Sequence, residues 1–223
     1  MSDSTTEATS ETVEATSERT AEAAGESTAA VDPDKNRANL RRVGAIHFVT
    51  VMGALTLWGA ADSWATTSGW GLAWAAAISN AVIAGFVISS TLHEWGHYAG
   101  ARLSGSVAPV SKMPVRYFFM FNFPFEQNDK RQFLWMSLGG ILAPWVLVLL
   151  TVLLVPLDNA SRAMLLAAFV TRAVQVSLFE VPVVNRTYGG GDPLAELKQQ
   201  LAAGFTTNRY AGLAVGAGVW LAI

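Results

Sequence analysis

The sequence predicts an all-α polytopic membrane protein with four to five transmembrane helices, and three observations carry that expectation. Of its 223 residues, 52% are hydrophobic and only 14% charged, which is too apolar for an ordinary soluble domain of this length. The apolar residues are gathered into segments close to the roughly 20 residues a helix needs to cross the hydrocarbon. Between the second and third segments lies a run of alternating aromatics, which predicts a membrane-associated β-like loop after the second span.

Residues 1–36 differ in composition. They are rich in Ser, Thr and Glu, with Glu7, Glu11, Glu14, Glu18, Glu22 and Glu26 spaced every three or four residues. No apolar face accompanies that spacing, so the segment cannot bury enough surface to offset its ordering entropy. It is expected to be a disordered acidic tail. It lacks the apolar core and cleavage site of a secretory signal peptide, so retention is expected.

The transmembrane domain is expected over 43–223. The spans fall at about 43–61, 71–98, 133–155 and 164–184, the second being apolar to Leu92 and continuing as helix beyond it. A further apolar stretch over 210–223 would reach only about 21 Å as a helix, enough for a partial span. Arg37, Arg41 and Arg42 precede the first span, five basic residues from Arg102 to Arg131 separate the second from the third, and Arg186, Lys198 and Arg209 follow the fourth. The opposite loops hold only Arg162. The positive-inside rule therefore predicts a multi-pass protein with a cytoplasmic N-terminus. The net charge of −2 gives no reason to expect nucleic acid as a partner, and the basic cluster over 35–42 reads as a membrane flank. The lipid bilayer is the partner that composition implies. Without cysteine, neither a disulfide framework nor a thiolate metal site is possible.

At the end of the second span stands His93-Glu94-Trp95-Gly96-His97, an H-E-x-x-H motif. Histidines four apart on a helix share one face, so both imidazoles reach one metal ion. Glu94 is turned about 100° from His93, a position suited to a base acting on a metal-bound water. Gly96 is expected to leave the flank of the site open. The chain has only three histidines, and ionisable groups at the edge of a span are costly and usually functional. The third, His47, stands alone in the first span and reads as a packed or interfacial residue.

Tyr117, Phe119, Phe121, Phe123 and Phe125 occupy every second position of the loop and predict a strand. They serve either as an interfacial anchor or as an apolar wall for substrate, with Phe119, Phe121 and Phe123 the candidate binding residues. Gly139, Gly140, Ala143 and Pro144 in the third span permit close helix contact. The fourth span carries Arg172, Gln175 and Glu180, and Gly189-Gly190-Gly191-Asp192-Pro193 follows it. Glu180 and Asp192 both lie toward the end where the histidines are, and either could supply a third ligand. The triple glycine allows a turn that brings Asp192 back to the site.

With these residues in view, the chain resembles the site-2 protease family of intramembrane zinc metalloproteases over 71–192. The resemblance rests on His93-Glu94-Trp95-Gly96-His97, on Gly139-Gly140-Ile141-Leu142-Ala143-Pro144 and on an aspartate after the third core span. It implies one zinc ion per chain held by His93, His97 and Asp192, with Glu94 as the general base. It also implies a membrane-protein substrate with a single transmembrane segment, cut in or near that segment close to the cytoplasmic face. The chain departs from the family where Phe179 stands three residues before Pro182 in place of asparagine, and where proline follows Asp192 in place of glycine. Two other readings stand beside this one: a catalytically silent membrane protein of the same fold that binds other membrane proteins, and a metal-handling protein using the intramembrane histidines. Two histidines and a carboxylate also suit iron.

Overall fold

The computed structural model describes residues 32–115 and 118–223. The acidic segment 1–31, and Arg116 and Tyr117 at the start of the aromatic run, lie outside the described residues. Six α-helices follow in chain order: α1 (Pro33–Ser68), α2 (Gly71–Leu103), α3 (Lys130–Leu154), α4 (Ala160–Tyr188), α5 (Pro193–Ala203) and α6 (Thr206–Ala222). The first four are long and apolar enough to cross a membrane.

A helix covers each predicted span, and most helices run beyond the predicted edges. Hydropathy marks the part of a helix that matches the hydrocarbon, whereas helix ends are set by local hydrogen bonding. Thus 33–36, expected in the tail, opens α1, and Asp62 lies inside that helix although it follows the apolar window. α3 begins at a capping box: the Asp129 side chain accepts from the Gln132 N–H and the Gln132 side chain accepts from the Asp129 N–H, both at 2.8 Å. α4 begins at Asn159, whose side chain accepts from the Arg162 N–H at 3.0 Å. The stretch predicted over 210–223 is the 17-residue α6, which lies on α4.

α2, α3 and α4 pack pairwise as the central three helices. At the α2–α3 crossing the contact is backbone on backbone. A Cβ on Gly96 would sit 2.3 Å from the Gly139 carbonyl oxygen, and one on Gly100 2.1 Å from that of Trp135. Gly96 therefore does not open the flank of the motif; it closes it against α3, as small residues do where helices meet in membranes. Higher up, Ala81, Ala84 and Ile88 of α2 meet Leu165 and Phe169 of α4.

α1 joins α2 through a turn at Gly69, whose φ of 67° suits glycine. It is pinned to α4 at this end, where Arg162 Nε donates to Asp62 Oδ2 at 3.0 Å and Trp58 Nε1 donates to Ser161 Oγ at 3.0 Å. At its other end Asn36 accepts from the Val110 N–H at 2.7 Å and Asn39 donates to the Val110 carbonyl at 2.9 Å. His47 is packed, as expected: it is 2% exposed and accepts from Trp95 Nε1 at 3.1 Å.

The aromatic loop is a hairpin of β1 (Val110–Val115) and β2 (Phe119–Phe121), paired antiparallel. The strand predicted over 117–125 is therefore shorter, and its partner was not anticipated because Pro114 obscures β1. Pro124 has no N–H to continue a ladder, and Phe123 and Phe125 leave it to pack on Phe133, with ring centroids 6.2 and 5.7 Å away. Met120 is fully buried beside Val43, Tyr98 and Ala101, which ties the hairpin to α1 and α2.

Candidate metal centre

His93 and His97 stand one turn apart on α2, and the close α2–α3 crossing brings α3 carbonyls to both rings. His93 Nδ1 lies 3.0 Å from the Gly140 carbonyl oxygen and His97 Nδ1 lies 3.0 Å from that of Met136. A carbonyl only accepts, so each Nδ1 carries a proton, and in the neutral ring each Nε2 presents a lone pair. The two Nε2 atoms face one another at 3.2 Å. Glu180 Oε1, from α4, lies 3.3 Å from His93 Nε2 and 3.1 Å from His97 Nε2. Its second oxygen, Oε2, is buried with no hydrogen-bond partner among the described residues.

These three atoms form a triangle of acceptors with sides of 3.1–3.3 Å. In this tautomer three lone pairs converge at the edge of the cavity, an arrangement that a metal ion relieves, as does a proton on His97 Nε2 donated to Glu180 Oε1. A tetrahedral site with bonds of about 2.0–2.1 Å separates its ligand atoms by roughly 3.3–3.4 Å, so the triangle matches one face of such a site. The backbone carbonyls behind both rings are the usual supports of ligating histidines, fixing tautomer and ring plane. The group His93, His97 and Glu180 fits a divalent metal ion.

The carboxylate that meets the histidines is thus Glu180 and not Asp192. Asp192 is exposed and caps α5, its Oδ1 accepting from the Ala195 N–H at 2.8 Å. The triple glycine does adopt an unusual conformation, with Gly190 at φ 118°, but the turn starts a helix. That helix is held to α4 by Arg186, which pairs with Glu196 and donates to Gln200. The signal was readable, since aspartate followed by proline is a helix start.

Glu94 is 7% exposed and borders a cavity of about 1330 Å³ together with His93, His97 and Glu180. Phe119, Phe121 and Phe123 line the same space, so the predicted wall shares one chamber with His93, His97 and Glu180, while Asp192 lies outside it. α4 forms its floor and α6 its far side.

Reading residues by type overlooked the carbonyls of Met136 and Gly140, because a backbone atom has no residue signature. The Gly96–Gly100 and Gly139–Gly140 pairs were the available signal. A Cβ at Gly140 would lie 2.1 Å from His97 Cε1, which no imidazole tolerates while still bonded to Met136. Gly140→Ala is expected to cost about 1–3 kcal/mol of stability through overpacking and to weaken divalent-metal binding by roughly 10–100-fold. Gly53→Ala, with nothing within 4 Å of its Cβ, is the control expected to leave metal binding unchanged and to cost no stability. Thermal unfolding in detergent with metal titration measures both; parent-like metal affinity in Gly140→Ala would remove the supporting role given to the α3 backbone.

Comparison with protein-family models, with curated proteins and with solved structures finds no match to this chain.

Proposed function

We propose that the chain is an intramembrane zinc metalloprotease. The observation that supports this most directly is the triangle of His93 Nε2, His97 Nε2 and Glu180 Oε1, with sides of 3.1–3.3 Å, beside a buried Glu94 in a cavity walled by aromatic residues. His93, His97 and Glu180 would hold one zinc ion, which supplies Lewis acidity toward a carbonyl oxygen and lowers the pKa of water.

The chain's own groups do the rest. A peptide bond within a transmembrane helix is shielded by intrahelical hydrogen bonds, so the substrate segment must unwind before it is cut. Among the described residues β2 is paired on one edge only, by β1. Its other edge offers backbone partners to an extended segment, and Phe119, Phe121 and Phe123 supply the apolar surround. Glu94 accepts a proton from the attacking water and returns it to the leaving nitrogen. One water is consumed, one C–N bond breaks, and a carboxyl and an amine leave. The burial of Glu94 keeps bulk water from competing for that proton. With the N-terminus cytoplasmic, as the basic residues suggest, the site opens near the cytoplasmic face.

The test is direct. Full-length protein in detergent, incubated with a single-span membrane peptide, is expected to give two products by mass spectrometry. A chelator such as 1,10-phenanthroline should abolish them and added zinc should restore them. A well-folded, zinc-loaded preparation that cuts no member of a varied set of single-span peptides would favour the silent binding protein.

A further inference from the structure

Arg172 has no role in the site described so far, yet it lines the same cavity. It stands on α4 twelve residues after Ala160 and sixteen before Tyr188, roughly 18 and 24 Å from the two helix ends. In hydrocarbon about 30 Å thick that places it near the middle of a span, where a guanidinium is costly unless it has a partner. The protein supplies little. Nη1 donates to Gln175 Oε1 at 3.0 Å, and the guanidinium carbon lies 5.4 Å from the Phe86 ring centroid. Nε is buried with no hydrogen-bond partner among the described residues. Among the described residues no carboxylate lies within ion-pair distance of Arg172, whereas Arg162 and Arg186 are both paired. Gln175 is itself held by the Arg209 carbonyl of α6, its Nε2 donating at 3.3 Å. Neighbours on α2, α4 and α6 thus steady a cation facing a largely apolar chamber, in which the charge of Glu94 acts on it without a direct ion pair.

We propose that Arg172 is a specificity residue that binds the carboxylate of an aspartate or glutamate in the substrate's transmembrane segment. This rests on the protease reading above. Charge complementarity identifies the occupant, and depth separates it from a lipid: a phospholipid headgroup lies at the interface, whereas an acidic side chain on a membrane helix can sit at any depth. Such a side chain brings its own need, since a carboxylate in hydrocarbon also lacks a partner until it meets a cation. The eight residues from Arg172 to Glu180 span about 12 Å along α4. The selected acid therefore falls about three to four residues from the scissile bond if the intervening chain is extended, or about eight if it stays helical.

The experiment measures binding, so that it does not depend on cleavage. Full-length Glu94→Gln protein, which keeps all three metal ligands, is placed in phosphatidylcholine nanodiscs. It is titrated with a labelled single-span Leu/Ala peptide in which one Asp is moved along the sequence, each with an Asn twin. Binding of the Asp peptide is expected to be roughly tenfold or more tighter than that of its twin at one register, as for a charge-assisted hydrogen bond. Adding Arg172→Gln should bring the Asp and Asn peptides to equal affinity, and Arg172→Lys should keep most of the difference. A flat scan in the Arg172 protein overturns the proposal without any variant at that position. So does a preference that survives Arg172→Gln, or one that disappears when phosphatidylglycerol replaces phosphatidylcholine, which would make the occupant a lipid. The two readings fail separately. If the parent cuts Asp and Asn peptides equally and the Glu94→Gln protein binds them equally, protease activity stands and the Arg172 assignment falls. If no peptide is cut but the Asp preference depends on Arg172, the assignment stands and protease activity falls.

Discussion

Glu94→Gln is expected to lower the proposed peptide hydrolysis by about 10²–10⁴-fold, the usual contribution of a positioned acid–base group, and to leave metal binding intact. Glutamine preserves the size and the hydrogen-bonding oxygen of the side chain but cannot carry the proton. The metal is retained because the triangle comprises His93, His97 and Glu180 and not Glu94. No other carboxylate takes over, since Glu180 directs Oε1 at both imidazoles and the next acid along the chain, Asp192, is exposed at the cap of α5. Initial rates on a single-span peptide, with zinc content measured on the same samples, check this. A parent-like rate would remove Glu94 from the chemistry, and lost zinc would make it a ligand.

Glu180→Ala is expected to abolish stoichiometric zinc binding, and hydrolysis with it. Loss of a group that merely supports a ligand already costs about 10–100-fold in metal affinity, so loss of one of three protein ligands should cost at least a hundredfold. It would also leave two imidazole Nε2 atoms 3.2 Å apart with no carboxylate to balance the ion's charge. Asp192→Ala is the matched comparison. It removes the cap that accepts from the Ala195 N–H, for about 1 kcal/mol of stability, and leaves zinc in place. Elemental analysis of the purified chains reads both: about one zinc in the parent and in Asp192→Ala, none in Glu180→Ala. The opposite pattern would return Asp192 to the site and make Glu180 a buried polar residue of the bundle.

The assignment of these two carboxylates shows where reading along the chain reaches its limit. The membrane class, the four long helices, the pairing of His93 with His97 and the offset of Glu94 all follow from residues close together in sequence. Hydropathy over about 20 residues, and the 3.6-residue turn that puts positions four apart on one face, are local rules. Local rules also sufficed for Asp192, had its neighbour Pro193 been read as a helix start. What no local rule supplied is the distance between helices. Gly96 and Gly100 meeting Gly139 and Trp135 backbone to backbone draw α3 so close that the Met136 and Gly140 carbonyls reach the imidazoles, and those carbonyls orient the two Nε2 lone pairs. The packing of α4 on the same pair then brings Glu180 to them across 83 residues of sequence. Periodicity says which way a side chain faces along its own helix; what it faces depends on how closely, and at what depth, the neighbouring helices pack.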